Sequence, residues 1–226
     1  MNKQRVCAYI DLNNLKHNIE SIHNCNPNAK VMCVIKADAY GHGSIEFARV
    51  LENIDYVYGF CVATADEGIE LRINGIRKPI LVLGYTFKSS YHDMINYSIM
   101  PTIISYDMAV EYNEECKKLD ENCYAHIKLD TGMGRIGFRN NEEDIDTIVK
   151  ISKLEQINLQ GVFTHFAKAD EKDLTYTKKQ LDTFHDIVNK LSKKGVTFEL
   201  HHCANSAFFI PIYDSSLYRI CTSVFR

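Results

Sequence analysis

Residues 31–43 read VMCVIKADAYGHG, an apolar strand that ends in a lone lysine and continues into a glycine-bounded helix start. Residues 31–35 are typical of a buried strand, and the strand period of two predicts that Lys36 lies on the same face as Met32 and Val34. Partial desolvation of an amine at this position lowers its pKa, and a neutral lysine forms Schiff bases with carbonyl compounds. From position alone, a lysine whose stem follows the strand end while its amine stays in water is an equally good interpretation.

Apolar runs alternate with segments of helical period along nearly the whole chain, which predicts repeated βα units and a parallel sheet. We predict strands at 31–35, 58–63, 80–84, 99–104, 124–129, 157–164, 197–202 and 216–221. We predict helices at 11–24, 43–53, 65–74, 88–96, 106–119, 141–153 and 173–193, and a short one from 204. Eight of each indicate an α/β protein with a TIM-type (β/α)8 barrel over residues 1–226, whose ligand site lies at the carboxyl ends of the strands. The missing glycine fingerprint makes a doubly wound dinucleotide-binding sheet less consistent with the chain.

Two helices have clear end signals in the sequence. Asp11 is expected to cap the first helix, and Gly195 is expected to end the longest one. The longest helix is expected to bury one apolar face, which is formed by Leu181, Phe184, Ile187, Val188 and Leu191.

The composition is that of an ordinary globular protein, with 46% apolar and 24% charged residues among 226. The net charge of -3 gives no reason to expect nucleic acid or an anionic membrane as a partner. The eight cysteines are scattered without a CxxC pair or metal-ligand spacing, which favours reduced thiols in the cytoplasm and no metal site. We find neither a signal peptide nor an apolar window of the roughly 18 residues that a membrane span needs.

Polar residues near the strand ends are the candidates for ligand contacts. Alternation along the fifth strand places Lys128 inside the barrel, where a cation needs a partner such as an acid from a neighbouring strand, or must lose its charge. Arg135 suits a carboxylate, because a guanidinium binds both carboxylate oxygens at once. His165 ends the sixth strand, where a histidine is more often a hydrogen-bonded structural residue. Asn205 and Ser206, at a helix start, suit either a phosphate or a helix cap without a ligand.

The segment 34–43 is VIKADAYGHG and closely resembles the lysine motif of alanine racemases, whose usual form is close to VVKADAYGHG. Residues 126–137 resemble the family signature HLKVDTGMGRLG along its full length. Shorter similarities, to GxxTHF, HxANSA, VRxG, AxIDLxALxxN, GVATxxEAxxLR and PILVLG, lie at 161–166, 202–207, 217–219, 8–18, 61–72 and 79–84. The resemblance covers essentially the whole chain and implies the amino-terminal barrel of a pyridoxal-phosphate (PLP) enzyme.

By this resemblance, Lys36 holds PLP covalently and the Tyr40 hydroxyl contacts the cofactor phosphate. Arg135 contacts the phenolic oxygen of the cofactor and the carboxylate of the substrate. Lys128 is carbamylated and hydrogen-bonds Arg135, which is chemically sensible because the modification turns a buried cation into an anion beside a guanidinium. The resemblance also implies cofactor contacts from Leu83, His165, Asn205, Ser206 and Arg219.

The implied place of Arg219, facing the pyridine nitrogen, bears on the reaction class. A guanidinium there keeps the nitrogen unprotonated and weakens the ring as an electron sink, so that simple reprotonation of the substrate is favoured over transamination. The resemblance thus implies a cytoplasmic, homodimeric isomerase that interconverts L- and D-alanine and supplies D-alanine for the cell wall.

Two departures from the family pattern change these expectations. Where the family continues VRxGIxxYG, this chain has Cys221 in place of the first glycine, and the loss of that glycine puts part of the phosphate site in question. The family also adds a carboxyl-terminal β domain, whose tyrosine serves as the second base, and these 226 residues do not contain that pattern. We therefore expect a barrel-only form with weak or absent turnover.

Three other interpretations stay open from the sequence. A single-domain PLP-binding protein of cofactor homeostasis fits the length better and the motifs worse. Amino-acid decarboxylases with the same barrel place a glutamate near the pyridine nitrogen, and Arg219 argues against them. A non-enzymatic barrel remnant that acts in protein association is the last.

Overall fold

The structure, a computed structural model, describes residues 7–203 and 205, together with the backbone of 220–224. Eight parallel strands form one sheet in the order β3-β2-β1-β8-β7-β6-β5-β4. The strands are β1 Lys30–Val34, β2 Val57–Val62, β3 Ile80–Val82, β4 Thr102–Ile103, β5 Cys123–Lys128, β6 Ile157–Phe163, β7 Leu200–His202 and β8 Ile220–Val224.

The two ends of this strand order meet, so the sheet closes on itself. A parallel bridge joins Leu81 to Met100, just before β4. Met100 N donates to Ile80 O at 2.9 Å, and Val82 N donates to Met100 O at 2.9 Å. The predicted (β/α)8 barrel is therefore confirmed.

Helices follow most of the strands and cover the outside of the barrel. They are α1 Leu12–Cys25, α3 Ser44–Leu51, α4 Ala65–Ile73, α5 Tyr91–Asn96, α6 Tyr106–Leu119, α7 Glu142–Ile151 and α8 Thr175–Lys193, and α2 Lys36–Gly41 is a single left-handed turn. Asp11 caps α1 as predicted, since its Oδ1 accepts from Asn13 N at 2.8 Å. Gly195, at φ 85°, follows the end of α8 as predicted.

Alternation along the strands divides the core into two layers. On β1, Met32 and Val34 belong to the cluster inside the barrel, whereas Val31, Cys33 and Ile35 pack outward among the helices. On β5, Ala125 and Ile127 likewise face the helices. The alternation that we predicted for the strand before Lys36 is confirmed through Ile35.

Several element boundaries differ from the predictions. β4 begins only at Thr102, because Pro101 has no N–H to give to the ladder. β3 ends at Val82, level with the end of its neighbour β2, and β7 pairs only from Leu200 onward. β8 runs to Val224 rather than to Cys221, and its ladder with β1 continues through the β-prone residues Thr222 and Val224. Cys221 thus pairs with Val31 inside the sheet. The short helix predicted from 204 lies outside the described residues.

Among the described residues, no helix combines the length and the apolar composition needed to cross a bilayer.

Candidate active site

The carboxyl edge of the barrel gathers the candidate residues of three strands. Lys36 follows β1, Lys128 is the last residue of β5, and His165 follows β6. The loop after β5 carries Arg135, and the turn after Lys36 carries Tyr40. Parallel strands bring these positions together, because their carboxyl ends all lie at one rim of the barrel.

The turn α2 that begins at Lys36 is left-handed, although its residues are not glycine. Ala37, Asp38, Ala39 and Tyr40 have φ values of 50°, 53°, 51° and 57°. Such a conformation costs about 1–2 kcal/mol per residue, so the turn must be held by its surroundings. Inside the turn, Ala39 N donates to Ile35 O at 2.9 Å, and Asp38 Oδ1 accepts from Ser44 N at 2.8 Å where α3 begins. The sequence predicted only the helix that follows.

The left-handed turn places Tyr40 beside Lys36. The Lys36 Nζ atom lies 6.0 Å from the centre of the Tyr40 ring. Lys36 is half-buried, while Tyr40 is 40% exposed, and partial burial raises the pKa of the phenol above its ordinary value. The turn therefore presents an amine and a neutral phenol together at the rim.

Lys128 lies inside the barrel, as alternation predicted, and only 3% of its surface is exposed. Its Nζ donates to Leu129 O at 2.7 Å and lies 5.3 Å from the centre of the Phe163 ring. Burial lowers the pKa of Lys128 to about 8, with Asp130 opposing the shift and Arg135 adding to it. Among the described residues, no carboxylate lies within 4.0 Å of this amine, so it is not the salt-bridged structural lysine that we considered.

The loop between Lys128 and Phe138 is shaped by its glycines and one aspartate. Asp130 Oδ1 accepts from Gly132 N at 3.1 Å and from Gly134 N at 2.9 Å. Gly137 has a φ of 114°, and a Cβ there would lie 2.7 Å from the Lys128 carbonyl oxygen. This loop carries Arg135, which is exposed to solvent.

His165 is a partly buried histidine whose pKa is affected by three cationic side chains. Burial, together with the positive charges of Arg135, Lys128 and Lys36 in that order of size, lowers the pKa of His165 to about 4. His165 is therefore neutral at pH 7, and the three cations give this rim a positive potential. A positive rim suits an anionic ligand such as a phosphate or a carboxylate.

The remaining predicted residues lie at varied places. Leu83 follows β3, is partly buried and packs against the cluster inside the barrel. Asn205 is half-buried. Ser206 and Arg219 lie outside the described residues.

The sequence did not reveal the residues of α8 that form hydrogen bonds with the loops at this rim. Gln180 of α8 is 1% exposed, and its Oε1 accepts from Ala167 N at 2.9 Å while its Nε2 donates to His165 O at 3.3 Å. Tyr176 donates its hydroxyl to Gly132 O at 2.7 Å. The signal for Gln180 is its spacing, because it lies four residues before Phe184 on the buried face of α8.

A second feature missed from the sequence is a histidine pair deeper in the barrel. His126 Nδ1 lies 2.8 Å from His202 Nε2, and both side chains are fully buried. Burial lowers the pKa of His126 to about 4 and that of His202 well below its usual range. Gly161 makes room for the pair, since a Cβ there would lie 2.5 Å from His126 Nδ1.

The fold and the site define a (β/α)8 barrel protein with a lysine amine at the rim of the barrel. Residues 10–220 match the family described as alanine racemase, N-terminal domain. The chain therefore belongs to the family of the alanine racemase amino-terminal domain, and alanine racemases are PLP-dependent isomerases.

Individual relatives agree with this assignment. The alanine racemase of Clostridium tetani is 45% identical over 213 residues, which cover 94% of this chain and 54% of that protein. That of Carboxydothermus hydrogenoformans is 40% identical over 210 residues, which cover 93% of this chain and 56% of that protein. A solved structure of alanine racemase from Clostridium difficile 630 has a TM-score of 0.92 at 43% identity, covering 95% of this chain and 56% of that one. The chain thus spans about half the length of the relatives that it matches.

Proposed function

We propose that this chain is the cofactor-bearing barrel of a PLP-dependent alanine racemase, which interconverts L- and D-alanine. The observation that carries the proposal is the convergence of Lys36, Tyr40, Lys128, Arg135 and His165 at the carboxyl rim of the barrel. The names of the relatives, all alanine racemases, support the same conclusion.

The residues at this rim fit the chemistry of PLP. Lys36 offers a half-buried amine to an aldehyde, and the neighbouring Tyr40 offers a neutral phenol to a phosphate. The positive potential around His165 suits the negative charge of the phosphate. Leu83 offers an apolar contact beside the barrel interior, as an aromatic cofactor ring requires.

Each residue then has a role. Lys36 holds the cofactor and moves the proton of the substrate α-carbon on one face. Arg135 binds the substrate carboxylate with its guanidinium. PLP, when bound, supplies the electron sink that acidifies the α-carbon. The further cofactor contacts proposed, by resemblance, are from Leu83, His165, Asn205, Ser206 and Arg219.

Lys128 is proposed to be carbamylated. Its pKa of about 8 leaves a fraction of the amine neutral at pH 7, and the neutral amine attacks carbon dioxide and loses one proton to form a carbamate. The charge at this position changes from positive to negative, so that the unfavourable interaction with Arg135 becomes an attraction. The carbamate would then hold the guanidinium of Arg135 toward the substrate.

Racemisation also needs an acid or base on the second face of the substrate, and Lys36 serves only one face. In the family this group is a tyrosine of the carboxyl-terminal domain, which acts in the site of the partner subunit. We therefore propose a homodimer as the active form of the complete enzyme, working in the cytoplasm to supply D-alanine for the cell wall. The exposed pair Tyr85 and Phe87, which stack edge to face at 5.1 Å just after β3, is a candidate part of the surface that this association covers.

The experiment is a racemisation assay of the purified 226-residue chain with PLP, beside the full-length enzyme of Clostridium tetani and the K36A variant. We expect the 226-residue chain to turn over weakly or not at all. Lys36 serves one face of the substrate, and this sample contains no carboxyl-terminal domain to supply the second base. Turnover of the chain at the rate of the full-length enzyme, with K36A inactive, would show that the second base lies within these residues.

A further inference from the structure

Glu67 is a carboxylate on a neighbouring helix that contacts the backbone directly after Lys36. It lies in the first turn of α4, which follows β2. Its Oε1 accepts from Ala37 N at 2.8 Å, and its Oε2 accepts from Ala63 N at 2.6 Å. One carboxylate thus joins the loops at the carboxyl ends of β1 and β2.

Local capping of α4 does not account for these contacts. Thr64 is the N-cap of α4, and its Oγ1 accepts from Glu67 N at 3.4 Å. In an ordinary capping box, the glutamate returns this bond to the backbone N–H of the cap residue itself. Here the carboxylate binds Ala63 N instead and reaches 30 residues back along the chain to Ala37 N.

The contact falls at the point where the left-handed turn begins. Ala37 is the first of four consecutive non-glycine residues with a positive φ, and the turn that they form carries Lys36 at one end and Tyr40 at the other. A hydrogen bond to a charged acceptor is about twice as strong as one between neutral groups, so these contacts offset part of the cost of the left-handed residues. The N-terminus of α4 also favours a negative charge at Glu67.

We propose that Glu67 is a positioning residue, which holds the left-handed turn so that the Lys36 amine meets the aldehyde of its cofactor. This inference rests on the proposed function and deepens it. Glu67 acts through the backbone: it fixes where Lys36 leaves β1 and how far Tyr40 stands from it. Both oxygens are needed, since each accepts one of the two N–H groups.

The test compares E67Q with the matched control E70Q. Glu70 is an exposed glutamate three residues further along α4. A glutamine at 67 offers a single acceptor oxygen and turns an NH2 donor toward the second N–H group. In the protein without cofactor, we expect amide hydrogen exchange at Ala37 and Ala63 to become about tenfold faster in E67Q and to stay unchanged in E70Q. E67D, which keeps the charge but is shorter by one methylene, should behave like E67Q and covers the case in which E67Q does not fold.

A second readout uses PLP itself. Condensation of the Lys36 amine with an aldehyde releases one water and forms a carbon–nitrogen double bond, which borohydride reduces to a stable single bond. Under pulsed labelling, we expect the pyridoxyl label on Lys36 to form about tenfold more slowly in E67Q than in the wild type or E70Q, at unchanged near-ultraviolet circular dichroism.

The outcomes separate this inference from the proposed function. Unchanged exchange at Ala37 and Ala63 in E67Q and E67D would overturn the role of Glu67, whatever PLP does. Unchanged labelling with faster exchange would also overturn it, because the turn would then move without effect on the amine. A wild type that takes no label at Lys36 would instead contradict the proposed function, while the exchange data would still decide whether Glu67 holds the turn.

Discussion

Lys36 and Lys128 reach the same rim of the barrel in different surroundings. Lys36 is half-buried beside the Tyr40 ring, whereas Lys128 is 3% exposed and donates only to the Leu129 carbonyl oxygen among the described residues. Burial of the charged form is what lowers the pKa of Lys128 to about 8. The unmodified protein therefore bears the cost of a desolvated cation, which carbamylation or loss of a proton would relieve.

That cost gives a prediction for the substitution K128M. The pKa of Lys128 falls from 10.5 to about 8 on folding. Between these pH values the unfolded chain binds one proton more than the folded chain. Below pH 8 the lysine is charged in both states, and folding bears the full free-energy cost of burying the charge. In buffer free of carbon dioxide, K128M should raise the free energy of unfolding at pH 7 by about 1–3 kcal/mol. The advantage should shrink between pH 8 and 10, where the wild type folds with a neutral lysine.

Urea unfolding at pH 7, 8, 9 and 10 measures this difference. K150M, at an exposed lysine of α7, is the matched control and should show no such pH-dependent difference from the wild type. A K128M variant less stable than the wild type at pH 7 would show that the ammonium group is stabilised in the barrel rather than penalised.

The sequence predicted some of these residues and not others, for physical reasons. Strand alternation was enough to place Lys128 inside the barrel, because the direction of its side chain follows from the strand period of two. The left-handed turn could not be predicted, because Ala37, Ala39 and Tyr40 are residues that rarely adopt a positive φ. Glu67 holds that turn from another βα unit, and a contact across 30 residues leaves no local pattern.

At the scale of elements, the loop that carries Arg135 depends on a close approach of backbone to backbone. Phe138 N donates to Lys128 O at 2.9 Å, and Asp130 N donates to Phe138 O at 2.7 Å, so the two ends of the loop pair with each other. Gly137 enters this pairing at a φ of 114°. The loop is thus closed at its base by a contact that leaves no room for a side chain.

We predict that G137A destabilises the protein by more than about 2 kcal/mol, because its Cβ would lie 2.7 Å from the Lys128 carbonyl oxygen and the φ of 114° is strained for alanine. G134A is the matched control: its φ is 72°, but the space around the new Cβ is open, so about 1 kcal/mol is expected. Thermal unfolding of the two variants measures the difference. Equal destabilisation by the two substitutions would contradict the prediction. It would show that the backbone at the base of the loop moves to make room for the new Cβ.

Helix ends were predictable where the signal is local. Asp11 and Gly195 act where the sequence placed them, since a cap and a left-handed stop depend on neighbouring residues only. The apolar face of α8 was also predicted, and Phe184, Ile187 and Leu191 are buried. Gln180 on the same face was not, because its partners Ala167 and His165 belong to the loop after β6.

At the scale of the whole molecule, the fold class followed from the alternation of apolar runs and helical segments. The lengths of β3, β4 and β7 did not, because a strand of a closed barrel lasts only as long as both neighbours pair with it. The barrel interior also contains polar groups that composition cannot locate. Burial is the main cause that lowers the pKa of His126, His165 and His202 below its ordinary value.

These three histidines predict steep acid unfolding. Their pKa values are lowered on folding, so the unfolded chain binds more protons between pH 6.5 and 4, and stability falls as the pH falls through this window. Near pH 5, the slope of the unfolding free energy against pH should correspond to an uptake of about two to three protons. H165Q should lower that number by about one, and H17Q, at an exposed histidine of α1, should leave it unchanged. An uptake of less than one proton in the wild type would contradict the burial of neutral histidines in the barrel.

The amine of Lys36 is the proposed group that captures PLP, and the other roles proposed at this rim depend on it. The direct measurement is incubation with PLP, reduction with borohydride, proteolysis and mass mapping of the peptides, in the wild type and in K36A. We predict one pyridoxyl group on Lys36 in the wild type and none in K36A. A label on another lysine, or a wild type without label, would contradict the assignment of this rim as a cofactor site.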